Sequence, residues 1–433
     1  MAGVPWSPDE LAFIKQRVTD GVNPRYFRDE LNTKFGHNRT QFAIENRLTS
    51  LGISFAGTGA DPDSEDFDQI VSADQKTHDQ HRRIQSLETR YQAALKNLNI
   101  QEKLIEWGDG ALKSLPLVGQ PKPVKPGKGV TTESGILLLS DTHIGEVIQA
   151  AEMRGLNAYN VDICNRRLKH LSNVCRDLMT DKLRGYHFDR LHIMLLGDIV
   201  SGYIHDELAE TGEGNIMDWT VNGAYIIAQL VREFLQTVPA ISLVGVVGNH
   251  GRVYKGPVRF KERYVNWDYV TYQYISMFLR DEAKAGRVTF NFPQSFWTVE
   301  KICGWNWLVL HGDNIKSWAG IPWYGIERAI KKLKELMAVQ KEFVDYIALG
   351  HFHNQGTLDM MRGQVIINGS VMGGDEYSIG KMYSTSSARQ WLGGIHPRTG
   401  ITWTYNINLQ DAEKRVKETY KTADLSDRAM GEL

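Results

Sequence analysis

Gly135-Ile-Leu-Leu-Leu-Ser-Asp-Thr-His143 is an apolar run that stops abruptly in a polar cluster. A short, continuously apolar stretch of this kind reads as a strand covered on both faces, as in a parallel sheet. The pattern recurs four times downstream. Leu191–Leu196 ends in Gly197-Asp198, Ile241–Val247 in Gly248-Asn249-His250, Trp307–Leu310 in His311-Gly312-Asp313, and Tyr346–Leu349 in Gly350-His351-Phe352-His353. Helical stretches separate these runs, which is the alternation of an α/β domain. Ligand sites in such sheets favour the carboxyl ends of strands, where all five clusters fall.

Singly, an Asp-x-His or His-x-His is more often a loop feature than a ligand pair. Five in succession, each directly after an apolar strand, are different. Two carboxylates, one amide and several imidazoles suit borderline divalent metals such as manganese, iron or zinc. Thiolates are absent from the set, which argues against a structural zinc site.

Asp-x-His, Gly-Asp, Gly-Asn-His, His and Gly-His-x-His, in this order, resemble the signature of the calcineurin-like metallophosphoesterases over residues 134–375. The resemblance implies a two-sheet β sandwich flanked by helices, binding two divalent ions at one edge. Manganese is the first expectation, with iron, zinc or nickel as alternatives. Asp141, His143 and His353 would hold one ion and Asn249, His311 and His351 the other. Asp198 would bridge them through its two carboxylate oxygens. Cations about 3.5–4 Å apart clamp a phosphate and lower the pKa of a shared water, so the implied chemistry is phosphoester hydrolysis by a dimetal-activated hydroxide. His250 is the candidate to assist the leaving oxygen, because an imidazolium pKa lies near working pH. Asp313 reads either as support behind His311 or as a turn residue.

The pattern departs from that family at Gly251, where many members carry an acidic partner for the histidine. Either another carboxylate, such as Asp206 or Glu207, reaches the site, or His250 is less basic and the substrate has a better leaving group. The arginine-bearing Gly-Asp and Gly-Asn-His motifs of Ser/Thr protein phosphatases are also missing. Substrate contact could instead come from Arg252, Lys255 and Arg259, with Lys261 and Arg263 nearby, a cluster able to follow a polyphosphate backbone. Its alternative is a solvated face. Tyr254, Tyr264, Trp267, Trp318, Trp323 and Tyr324 are candidates for stacking bases, or for core.

Upstream, residues 1–52 show three helical patterns. Ser7-Pro8-Asp9-Glu10 opens the first as a capping box, Pro24–Lys34 forms the second, and the third carries Phe42, Ile44, Leu48 and Leu51 as its apolar face. This segment is similar to Myb/SANT-like helix-turn-helix modules, which implies DNA contacts from Arg39, Thr40, Gln41 and Arg47, although such modules also bind proteins. Seven Lys/Arg against six Asp/Glu make it barely basic. Residues 53–74 read as a linker and 75–115 as a helical spacer. The Ile84–Ile105 stripe could pair as a coiled coil with a sister chain or lie on the main domain. Residues 116–133 are a Pro/Lys-rich linker, 134–410 the main domain and 411–433 a C-terminal tail.

The chain has 433 residues, 42% hydrophobic and 23% charged, with a formal net charge of −1, so any nucleic-acid contact must be local. Three scattered cysteines suit a reducing compartment. No leader or membrane span is evident in the sequence, and a cytoplasmic location is expected. A helix-turn-helix-like head on a Gly-Asn-His-Gly phosphoesterase resembles bacteriophage-encoded proteins, for which the compartment is the bacterial host cytoplasm. The leading expectation is a hydrolase, a phosphodiesterase or nuclease acting on DNA or RNA. A phosphomonoesterase of nucleotides or small metabolites is the first alternative. A binding regulator with a vestigial catalytic fold is the second.

Overall fold

Side chains along β1 (Thr131–Leu139) alternate between two separate cores, and that alternation builds the architecture. In the computed structural model, which describes residues 5–53, 96, 99–122, 128–202, 212–254, 263–315, 323–339, 343–376, 378–379 and 386–423, Ile136 and Leu138 point one way and Leu137 and Leu139 the other. Successive residues of a strand face opposite sides of its sheet, so a run apolar at every position must be covered twice.

Five further strands join β1: β2 (Tyr186–Leu195), β3 (Ala240–Gly245), β4 (Val288–Asn291), and, after a second sheet, β10 (Arg389–His396) and β11 (Gly400–Asn408). Their order is β11-β10-β1-β2-β3-β4. The β1 to β4 pairings are parallel, while β10 runs antiparallel to both β1 and β11. The second sheet comprises β5 (Trp297–Ile302), β6 (Trp305–Leu310), β7 (Tyr346–Leu349), β8 (Gly356–Asp359) and β9 (Gln364–Ile367), in the order β5-β6-β7-β9-β8.

Ile136, Leu138, Met194, Leu196 and Val244 of the first sheet meet Trp307, Val309, Ala348 and Ile366 of the second, forming the sandwich interior. The outer face of the first sheet is covered by α5 (Val161–Asp177), α6 (Ile216–Phe234) and α7 (Trp267–Phe278). That of the second packs on α8 (Trp323–Val339) through Ile326 and Met337. A two-sheet sandwich flanked by helices is therefore the fold, as the motif resemblance implied.

Differences from expectation concern the less apolar elements. The strands β4, β5 and β8 to β11 carry no strong sequence pattern, and β1 begins at Thr131, inside the segment read as linker. Residues 411–423 are not a free tail. Tyr420 is buried, its backbone pairs with the Asn165 side chain, and its hydroxyl donates to Glu233.

The chain divides into two compact units, Met1–Tyr91 and Gln92–Leu433. In the first, α1 (Pro8–Thr19), α2 (Pro24–Phe35) and α3 (Gln41–Ser50) enclose Ile14, Phe27, Leu31, Ile44 and Leu48. Ser7 and Glu10 form the expected capping box. Phe42, expected in this core, is 69% exposed. In the second unit, the helix α4 (99–111) lies against α7. Tyr274 donates its hydroxyl to the Leu104 carbonyl, and Ile105 packs on the main core. The described end of the 84–105 stripe thus lies on its own unit; Ile84 to Ala94 and Leu98 fall outside the described residues.

Candidate metal centre

The carboxyl ends of β1, β2 and β3, with those of β6 and β7, bring the five polar clusters together at one edge of the sandwich. The backbone there is contorted. Asp141, His143, Asp198, His351 and His353 all have φ between 42° and 69°, the left-handed region. Only three other described non-glycine residues share it. Each such residue costs about 1–2 kcal/mol, and strain of this kind concentrates at functional sites. Gly248 is required by closeness: a Cβ there would sit 2.1 Å from Asp198 Oδ1.

Two clusters result. Asp141, His143 and His353 place their ligand atoms within 4.8 Å of one another, as do Asp198, His311 and His351. In the first, the Nε2 atoms of His143 and His353 face each other at 3.2 Å, with Asp141 Oδ1 3.3 Å from His353 Nε2. In the second, His311 Nδ1 donates to the Leu196 carbonyl at 2.6 Å. That bond orients the ring and turns Nε2 inward, 2.9 Å from Asp198 Oδ2 and 3.1 Å from Asn249 Oδ1. Facing ring nitrogens and carboxylates, buried in one place, form a donor set that fits a divalent cation in each cluster. Asp198 departs from expectation in one respect. Its Oδ1 accepts the His250 amide at 2.7 Å, which leaves Oδ2 to face His311.

The ionisation pattern agrees. Burial pushes the Asp141 and Asp198 carboxyls up, but neighbouring imidazoles, His353 for Asp141 and His311 for Asp198, outweigh it and hold both below the usual range. Burial pulls His311 down, yet the Asp198 carboxylate lifts it to about 10. His351, with burial and the His311 charge both against it, falls to about 4. The proton on His311 thus stands where cationic charge is wanted, and a metal would displace it.

Residues with no motif of their own hold this edge. Asp268, in the first turn of α7, is fully buried. Its Oδ2 accepts the amides of both Asp198 and Gly248 at 2.9 Å, and its Oδ1 those of Ile199 and Val200 at 2.9 and 3.3 Å. Burial and the nearby Asp198 raise its pKa to about 6. Asn266, the N-cap of α7, accepts the Asp268 amide and donates to the Gly248 carbonyl at 2.8 Å. Behind Asp141, Ser370 donates to its carbonyl at 2.9 Å, and Asn368 and Gln390 bond to Ser140. The buried Arg167 ties down the carbonyls of Val371 and Met372. The N-cap Asn signals where α7 starts; nothing local signals what its first turn touches.

Gly251 now has a steric reason. A Cβ there would meet Asn266 Oδ1 at 2.2 Å, so an acidic side chain at this position has no room. Asp206 and Glu207, the expected substitutes, lie outside the described residues. Glu146, which was not anticipated, groups within 4.8 Å of His143 and His250 and receives a hydrogen bond from Ser201. Burial raises its pKa to about 7.

Other expectations fare unevenly. Asp313 forms a buried ion pair with Arg263, which draws Arg263 out of the expected cationic cluster. Arg252 is half-buried over the Tyr254 ring, and Lys255 and Arg259 lie outside the described residues, as does Trp318. Trp323 and Tyr324 are 37% and 64% exposed. In the N-terminal unit, Arg39 pairs with the buried Glu10 and stacks on Trp6, while Thr40 caps α3 through the Ala43 amide. Both help hold the module together, Thr40 from an exposed position. Gln41 bonds Glu45 and Arg47 lies near Ser50.

No family model and no curated protein matches the sequence. Solved structures do match. A hypothetical protein from Pyrococcus horikoshii is 12% identical, with 66% of this chain and 93% of that one covered and a TM-score of 0.33. Vps29 from Entamoeba histolytica, complexed with zinc, is 11% identical over 64% of this chain and 99% of its own, with a TM-score of 0.28. A novel archaeal phosphodiesterase is 8% identical over 63% and 99%, also with a TM-score of 0.28. Likenesses this distant assign no residue and no substrate. No described helix is long and apolar enough to cross a membrane.

Proposed function

We propose that the chain is a metal-dependent phosphoester hydrolase, a phosphodiesterase acting on DNA or RNA. The observation that carries the hydrolase reading is the convergence of two buried donor clusters at one sheet edge. Asp141, His143 and His353 would hold one divalent cation, manganese by preference, and Asn249, His311 and His351 a second, with the Asp198 carboxylate shared by both. Bound there, two cations supply Lewis-acid polarisation of a phosphoryl oxygen and ready ionisation of water at neutral pH.

The chain's own residues do the rest. His311 is oriented by the Leu196 carbonyl, and Asp198 by the His250 amide. His250 stands edge-on to His143 with ring centroids 4.4 Å apart, where it can donate a proton to a leaving oxygen.

The nucleic-acid reading adds the N-terminal three-helix unit as a targeting module, of the kind found in phage-encoded proteins. Duplex contacts would come from Arg39, Thr40, Gln41 and Arg47, of which Arg39 also pairs with Glu10. The test is a manganese-supplemented panel of linear, nicked and single-stranded DNA, RNA and mononucleotides, with Asp198→Ala as control. Polymer cleavage lost in the control supports the reading. Phosphate release from mononucleotides without polymer cleavage selects the phosphomonoesterase instead. Deleting residues 1–70 should weaken binding to a long oligonucleotide while sparing hydrolysis of bis-p-nitrophenyl phosphate; unchanged binding refutes the targeting role.

A further inference from the structure

We propose that Asp268 and Asn266 are positioning residues that set the spacing between the Asp198 and Asn249 loops, and thereby the affinity of the second cluster for a divalent cation. The inference rests on the two-cation reading above. Its basis is one shared atom: Asp268 Oδ2 accepts the amides of Asp198 and Gly248, both at 2.9 Å. These amides belong to loops following β2 and β3, and each lies at or next to a presumed ligand. Neighbouring parallel strands fix their own spacing, but past the last ladder pair, Leu195 with Gly245, that constraint ends. There the shared oxygen of Asp268 acts together with the bond from the His250 amide to Asp198 Oδ1 in tying the two loops.

Asn266 closes the arrangement from the same helix. It donates to the Gly248 carbonyl at 2.8 Å, and the Trp267 amide reaches the Gly251 carbonyl at 2.7 Å. The loop carrying Asn249 and His250 is therefore held on both sides of the ligand by the start of α7. The carboxylate satisfies four buried amides at once. An amide side chain cannot, because its NH2 group would point a donor at donors.

Asp268→Asn therefore spreads the two loops with little change in volume. Outer-shell partners of metal ligands typically alter metal affinity about 10–100-fold. Asn266→Ser, which keeps the carboxylate and loses the bond to Gly248, is the milder second variant. Glu282→Gln provides a control for plain loss of stability: Glu282 is a buried carboxylate paired with Arg287 just past the far end of α7.

The experiment is calorimetric titration of the full-length, metal-stripped protein with Mn2+, with kcat and KM on bis-p-nitrophenyl phosphate measured alongside. Wild type and Glu282→Gln should bind two equivalents. In Asp268→Asn the second equivalent should weaken about tenfold or more, with kcat down by a similar factor, KM held and partial rescue by excess Mn2+. Asn266→Ser should move the same way by less, and it carries the test if Asp268→Asn fails to fold. Two equivalents bound by both variants with wild-type affinity would overturn the proposal while leaving the two-cation reading intact. Fewer than two in the wild type would overturn both.

Discussion

Restoring the acidic residue that related motifs place after Gly-Asn-His should damage this protein. In Gly251→Asp the new Cβ lands 2.2 Å from Asn266 Oδ1, so Asn266 must retreat by about 1 Å to reach ordinary contact. Overpacking of a tight interior costs roughly 1–3 kcal/mol. Asn266 cannot move without loosening its bonds to Asp268 and Gly248, each contributing about 0.5–1.5 kcal/mol. The total, roughly 2–6 kcal/mol, corresponds to a fall in melting temperature of about 4–12 °C at ~2 °C per kcal/mol for a domain of this size. Differential scanning calorimetry and bis-p-nitrophenyl phosphate turnover below the transition measure the two effects. Turnover should fall with stability. A Gly251→Asp protein that melts like wild type and turns over faster would refute the steric argument and show that His250 lacked only a carboxylate.

His250→Ala should lower turnover by about 10²–10⁴ while binding Mn2+ like wild type; unchanged turnover removes His250 from the chemistry. Manganese binding should release a proton, because His311, lifted to about 10 by the Asp198 carboxylate, carries one before the metal arrives. Affinity should therefore fall as pH falls, and the calorimetric heat should depend on the buffer's ionisation enthalpy; a buffer-independent heat would contradict this. Arg263→Ala strands the buried Asp313 carboxylate and should cost about 3–5 kcal/mol in a chemical melt, since breaking one side of a buried pair leaves a charge unpaired. In the N-terminal unit, burial pushes Glu10 up, but Arg39 and the Ser7 amide outweigh it, so its folded pKa lies below the unfolded one. Its contribution is complete above the unfolded value of about 4.3 and lost as pH falls through the folded value. Hydrogen exchange of residues 5–53 should rise in that acidic window in wild type, and at neutral pH in Glu10→Gln.

The candidate ligands were legible because each lies directly beyond a locally apolar strand, so short stretches carried both strand and cluster. What supports them was not. Asp268 looks like an ordinary acidic residue in a first helical turn, and Gly251 like a gap in a motif. Their meaning depends on contact between segments far apart in sequence. Arg39 shows the same limit in reverse: an arginine at the start of a third helix reads as a nucleic-acid contact, and nothing local shows that Glu10, 29 residues earlier, lies against it. Phe42 is exposed because, two residues before Ile44, it falls about 200° round the helix from the face that Ile44 and Leu48 bury. The late strands escaped notice because β8 and β11 are half-exposed and β10 is interrupted by Gly393-Gly394.

The position of β10 bears on how the protein is made. This strand closes the antiparallel side of β1, and its Gln390 bonds to Ser140, 250 residues earlier, immediately before Asp141. During synthesis, β1 emerges early and waits for nearly the whole remaining chain before that edge is covered. An apolar strand with an open edge invites pairing with other chains, and contacts this remote form slowly. Ribosome-bound chains ending before Arg389 should therefore associate readily with chaperones, and a nonsense mutation there should yield aggregates in place of a shortened hydrolase.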